Sequence, residues 1–157
     1  MKIEIENRAG IEKRADKPFP AHTALISITD SDKDFAVLKN EPEYLLQMKF
    51  DDVSDEIFEE ILGRKPTPAE ALLIAKKFHM FNGEQAEQIA AFIKSALKKA
   101  EFLICQCEYG QSRSAGLAAA VKQFSDKSGI EIFADERYYP NKLVYRKVLA
   151  ALTGEMK

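Results

Sequence analysis

Phe102-Leu103-Ile104-Cys105-Gln106-Cys107-Glu108-Tyr109-Gly110-Gln111-Ser112-Arg113-Ser114 is the stretch that decides how the chain is read. It opens on an apolar run and closes on the small-residue segment Ala115-Gly116-Leu117-Ala118-Ala119-Ala120, so the order is strand, tight loop, helix. A loop that opens a helix aims several backbone N–H groups at one point, with the positive end of the helix dipole behind them. Such a loop is a ready-made anion site. Cys107 at its mouth adds a nucleophile, and Arg113 at its far end adds a planar, bidentate clamp. Together they point to phosphoryl transfer through cysteine.

The segments around this stretch read as the scaffold that presents it. The run 102–107 carries too few charges for an exposed edge and is expected in the centre of a sheet. Residues 2–6 alternate with period two and predict an edge strand. Residues 7–22, with Pro18 and Pro20, predict a loop. A second strand is expected over 24–29, closed by the polar cluster Asp30 to Asp34, and a third over 44–50, ending at Asp51-Asp52. Helices are expected at 55–62 behind Ser54 and from Thr67-Pro68-Ala69-Glu70 to about Met80. Others follow from the Asn82 cap to Ala100, from Ser112 towards Lys127, and after Pro140-Asn141. Gly129 is read as the stop of the helix after the loop, and 130–134 as a last short strand. The resulting fold class is α/β, a single domain over 1–157 with three layers and a mostly parallel central sheet flanked by helices.

Composition limits the alternatives. A formal charge of −2 argues against a protein that grips nucleic acid by its overall field, so an anion must be captured locally. No run approaches the ~18 apolar residues of a membrane span, and the N-terminus lacks the apolar segment of a signal peptide. A cytoplasmic protein with neither nucleic acid nor membrane as partner is expected. Cys105 and Cys107 are too close to staple a fold; they are read as unpaired and on opposite faces of the strand, as suits a reducing compartment. His22 and His79 are the only histidines and are not spaced for ligation, so no metal or other cofactor is expected.

Cys107, five residues, then Arg113-Ser114, set between a strand and a helix, resembles the signature of cysteine-dependent protein tyrosine phosphatases, particularly their small dual-specificity-like branch. The likeness is close in the loop, looser over 44–52 and 82–100, and slight in the N-terminal third. It implies a phosphotyrosine-phosphatase-like fold and a phosphomonoester hydrolase with a phosphocysteine intermediate. Cys107 would be the nucleophile, Arg113 the clamp, and Ser114 the hydroxyl that steadies the thiolate. The backbone of Glu108, Tyr109, Gly110, Gln111, Ser112 and Arg113 would cradle the phosphate. The resemblance also places a general acid on a loop after an earlier strand, a position that Asp51 and Asp52 fit. Spacing from Tyr44 slightly favours Asp51, and Asp55 is a third choice.

Two features depart from that pattern. The family usually has His before the nucleophile, where this chain has the uncharged Gln106, and the segment from acid to cysteine is lengthened by the helix at 67–80. A phosphate- or phosphoprotein-binding module without catalysis is therefore the alternative, and an arsenate reductase or sulfurtransferase a more distant one. The expected partners are a phosphorylated protein or a small phosphomonoester, with a phosphate-like anion in the loop; nothing fixes an oligomeric state. Arg137-Tyr138-Tyr139-Pro140-Asn141 reads either as part of the site's mouth or as a helix start with packed aromatics.

Overall fold

The computed structural model describes residues 1–155. Among them the chain forms strands β1 (Lys2–Glu6), β2 (Thr23–Thr29), β3 (Tyr44–Lys49) and β4 (Phe102–Gln106). The helices are α1 (Arg8–Arg14), α2 (Asp55–Leu62), α3 (Pro68–Lys77), α4 (Gly83–Ala96), α5 (Arg113–Asp126), α6 (Ile130–Ala134) and α7 (Lys142–Thr153). The sheet order is β1-β4-β2-β3 and every pairing is parallel. The architecture is three-layer α/β. No helix of the described residues is long and apolar enough to cross a membrane.

β4 lies inside the sheet because it has nothing to show to water: Leu103, Ile104 and Cys105 are fully buried. On one face α4, α5 and α7 pack against Ala24, Ile26, Ile28, Leu103 and Cys105 to form the larger core. Each large aliphatic side chain buried there, such as Ile26 or Leu117, contributes about 1.5–3 kcal/mol. On the other face Leu25 and Ile104 meet Ile11 of α1 and Ala36 of the loop after β2. One short helix covers that layer.

Several expectations are corrected. Residues 8–14 are helical, not loop: Asn7 Oδ1 accepts from Gly10 N at 2.7 Å and caps α1, whose single buried residue, Ile11, leaves no periodicity to read. Residues 130–134 form α6 instead of a strand. Phe133 packs edge-on against Tyr145 of α7 with ring centroids 5.0 Å apart, and the segment packs beside α5 without joining the sheet. α5 ends at Lys127 in the left-handed conformation, two residues before Gly129. Cys105 and Cys107 are both free, but both bury in the larger core. Two positions apart on an extended segment they share a face, because side chains alternate with period two.

The helices of the 55–77 segment follow their local signals. Gly63 closes α2, and α3 carries the full Thr67–Glu70 capping box. Ser54 holds the N-cap position of α2 but donates to Glu56 Oε2 at 3.2 Å instead of bonding the helix backbone. α3 stops short of Met80 because His79 turns left-handed (φ 49°) and offers its carbonyl to Asp51 N at 2.9 Å. The turn that ends α3 thus supports the loop that carries Asp51 and Asp52.

Candidate active site

The loop 107–112 leaves the carboxyl end of β4 and enters α5. Its shape follows from where its carbonyls are tied. Cys107 O accepts from Gln106 Nε2 at 3.0 Å, Glu108 O from Arg8 N at 3.1 Å, Gln111 O from Tyr139 N at 2.8 Å and Ser112 O from Asn141 N at 3.0 Å. In a trans peptide the N–H points opposite to the C=O, so outward carbonyls turn the following N–H groups inward. Among the described residues, the N–H groups from Glu108 to Arg113 have no protein acceptor. The loop is a ring of free donors.

Two glycines make the ring possible. Gly110 has φ 66°, and a Cβ there would sit 2.9 Å from Asn7 N, so the loop can lie against the β1–α1 turn only with glycine. At Gly116 a Cβ would come 2.5 Å from Asn141 O, so this glycine lets the start of α7 reach Ser112. The stretch 137–141 therefore acts through its backbone as a brace. Tyr139 is exposed, not packed, and lines a smaller groove beside Asp52 and Ser112.

Cys107 is 2% exposed, and its Sγ lies 3.0 Å from Ser114 Oγ. A hydroxyl at that distance can donate to a thiolate. Cys105, one turn of the pleat below, is a different thiol. Burial, with Cys107 adding to it, pushes its pKa far up, so it stays protonated. Gln106 is 1% exposed; its Oε1 accepts from Ser27 Oγ on the neighbouring strand while its Nε2 holds the Cys107 carbonyl. Both ends of the amide are used, which suits a buried position where an unpaired polar atom is costly.

Arg113 is nearly buried as well. Nη1 donates to Phe50 O and Nη2 to Asp30 Oδ1, each at 2.7 Å, while Nε has no partner. The guanidinium is held from two sides, and one of its three nitrogens, Nε, is left without a partner. Partial burial raises the Asp30 pKa, but the charge and hydrogen bond of Arg113, with Lys33 3.3 Å away, outweigh it and hold the carboxyl below its ordinary value.

The acid candidates fall in different settings. Asp51 uses both oxygens on Ser31, accepting from its N–H at 2.8 Å and its Oγ at 3.0 Å. Asp52 uses Oδ1 alone, accepting from Ser112 Oγ at 2.7 Å and Asn141 Nδ2 at 2.9 Å. Asp55 pairs with Arg146 at 2.8 Å. Asp51, Asp52, Asp30, Tyr109, His79 and Arg113 line one cavity of about 570 Å³, and Asp55 stands outside it.

A second cavity of about 570 Å³ lies at the β1 edge, among Glu4, Arg14, Lys122 and Glu131. Its charges pair with one another, Arg14 with Glu4 and Lys122 with Glu131, and no nucleophile lines it. Size alone does not choose between the two; unpaired donors do. Among the described residues no three His, Cys, Asp or Glu side chains are grouped to hold a metal ion.

Two contributors to the site are given no role of their own by the sequence: Asp30, which falls in the polar cluster closing β2, and Asn141, which falls in the stretch 137–141 read as part of the mouth or as a helix start. The sequence marks Asp30 only as a strand end and Asn141 only as a residue after a proline at a helix start; their place at the site comes from the β2–β4 pairing and from α7. Comparisons with family models, curated proteins and solved structures find no significant match to the chain.

Proposed function

We propose that the protein hydrolyses phosphomonoesters through a phosphocysteine intermediate, in the manner of small dual-specificity-like tyrosine phosphatases. The observation that carries this reading is the run of acceptor-free N–H groups from Glu108 to Arg113 next to the Cys107 thiol. Converging N–H donors at a helix start favour an anion, and the spare Nε of Arg113 adds a charged donor.

In the first step the Cys107 thiolate attacks phosphorus, the S–P bond forms, and the bond to the leaving oxygen breaks. Ring donors and Arg113 take up the charge on the non-bridging oxygens. We assign the proton for the leaving oxygen to Asp52, whose Oδ2 is free while Oδ1 is fixed by Ser112 and Asn141. Asp51, with both oxygens committed to Ser31, positions the loop after β2. In the second step Asp52, now ionised, takes a proton from water; the new O–P bond releases phosphate, and Ser114 donates to the departing thiolate.

One observation favours a phosphate-binding module without turnover: Gln106, where the resembled family has His, spends its uncharged amide on Ser27 and the Cys107 carbonyl and brings no positive charge to the thiol. Activity separates the two readings. The hydrolase reading expects turnover of p-nitrophenyl phosphate that is abolished by Cys107→Ser, with anion binding retained; full activity in that variant would sink it.

A further inference from the structure

The rim of the Cys107–Arg113 cavity carries four carboxylates, Asp30, Asp32, Asp51 and Asp52, and their charges are unequally balanced. Asp30 meets two cations, Arg113 and Lys33. Among the described residues, Asp51 accepts only from the N–H and hydroxyl of Ser31, and Asp52 only from the Ser112 hydroxyl and the Asn141 amide. Asp32 is exposed and has no partner among the described residues. Neutral donors orient a carboxylate without cancelling its charge. With Asp52 holding the proton for the leaving oxygen, Asp32 and Asp51 thus face, uncompensated, a space whose own cation, Arg113, is already paired.

Beneath this rim lies a built anion site. The Arg113 side chain is 4% exposed, lines the same cavity, and keeps Nε without a partner. A phosphoryl group must pass acidic walls to reach that donor, at a cost set by whatever other charge its carrier brings. A carrier with more phosphates or carboxylates meets repulsion, and one with ammonium or guanidinium groups beside the phosphate meets attraction. Tyr109, 75% exposed on the same rim, offers a ring face to such a cation.

Resting on the phosphomonoesterase reading of the loop, we propose that the substrates are phosphorylated protein segments with Lys or Arg flanking the phosphoresidue. Polyanionic carriers are selected against at the rim. Asp32 is a specificity residue that acts by charge alone.

The test uses Cys107→Ser protein and two fluorescent phosphotyrosine peptides that differ only in carrying Lys or Glu on either side of the phosphoresidue. Anisotropy titrations at low salt are expected to show the Lys peptide binding about tenfold more tightly. The preference should shrink towards unity at about 0.5 M NaCl, where exposed charges are screened. Adding Asp32→Asn should cut it about threefold. Equal affinities, a preference for the Glu peptide, or a preference that Asp32→Asn leaves unchanged would each overturn the inference, and none of these touches the hydrolase reading. Failure of both peptides to bind, with wild-type protein inert towards p-nitrophenyl phosphate, would remove both.

Discussion

Asp30 Oδ1 accepts a hydrogen bond from Arg113 Nη2 at 2.7 Å, joining the loop after β2 to the first residue of α5. With Phe50 O on Nη1, it fixes the plane of the guanidinium before any ligand arrives. Asp30→Asn keeps the shape and removes the charge. A steady-state assay with p-nitrophenyl phosphate should show kcat/KM lowered about tenfold, or about 1.4 kcal/mol of transition-state stabilisation. The pH dependence follows from the lowered Asp30 pKa. A carboxylate held below its unfolded value of about 3.9 contributes stability above that pH and loses it as pH falls through the folded value. Thermal unfolding should therefore separate wild type from Asp30→Asn by a constant interval between about pH 5 and 8, and the gap should close below about pH 4.

Gln106 and Ser27 form a buried pair whose amide also holds the Cys107 carbonyl. Gln106→Leu strands the Ser27 hydroxyl and frees that carbonyl, and Ser27→Ala strands the Gln106 oxygen. Each should destabilise by about 1–3 kcal/mol in urea unfolding. The double variant should cost less than the sum, because each single change already breaks the shared bond. Additive losses would show that the two side chains act separately.

Asp52→Asn should lower kcat about a hundredfold or more on phenyl phosphate, whose leaving group needs a proton, and distinctly less on p-nitrophenyl phosphate. Asp51→Asn should weaken the Ser31 contact and stability without that dependence on leaving group. The reverse pattern would move the acid to Asp51.

Gly116→Ala would place a methyl group 2.5 Å from Asn141 O and push α7 from α5. Overpacking of this kind costs about 1–3 kcal/mol, and the Ser112–Asn141–Asp52 linkage should loosen with it. Calorimetric unfolding and the phenyl phosphate assay should both register the change.

The parts legible in the sequence are those whose cause is local. The strand–loop–helix around Cys107, the Thr67–Glu70 and Asn82–Gln85 capping boxes, and the buried stripe of α4 depend on residues within a few positions of one another. α1 escaped because one buried isoleucine makes no period. α6 reads as a strand because Ile-Glu-Ile alternates, and its helical form depends on the packing of Phe133 against Tyr145 in α7. Asp30 and Asn141 reach the site only through the sheet order and the packing of α7 on α5, which no short window contains. The role of Gln106 was equally hidden, since its partner Ser27 lies across a strand pairing.

The central claim is that phosphate is transferred to Cys107. Wild-type protein and Asp52→Asn, mixed with excess p-nitrophenyl phosphate, quenched in acid within a turnover and digested, should yield the Cys107 peptide carrying one added phosphoryl mass. The adduct should be absent in Cys107→Ser. Steady turnover with no phosphoryl group on Cys107 at any quench time would contradict the account.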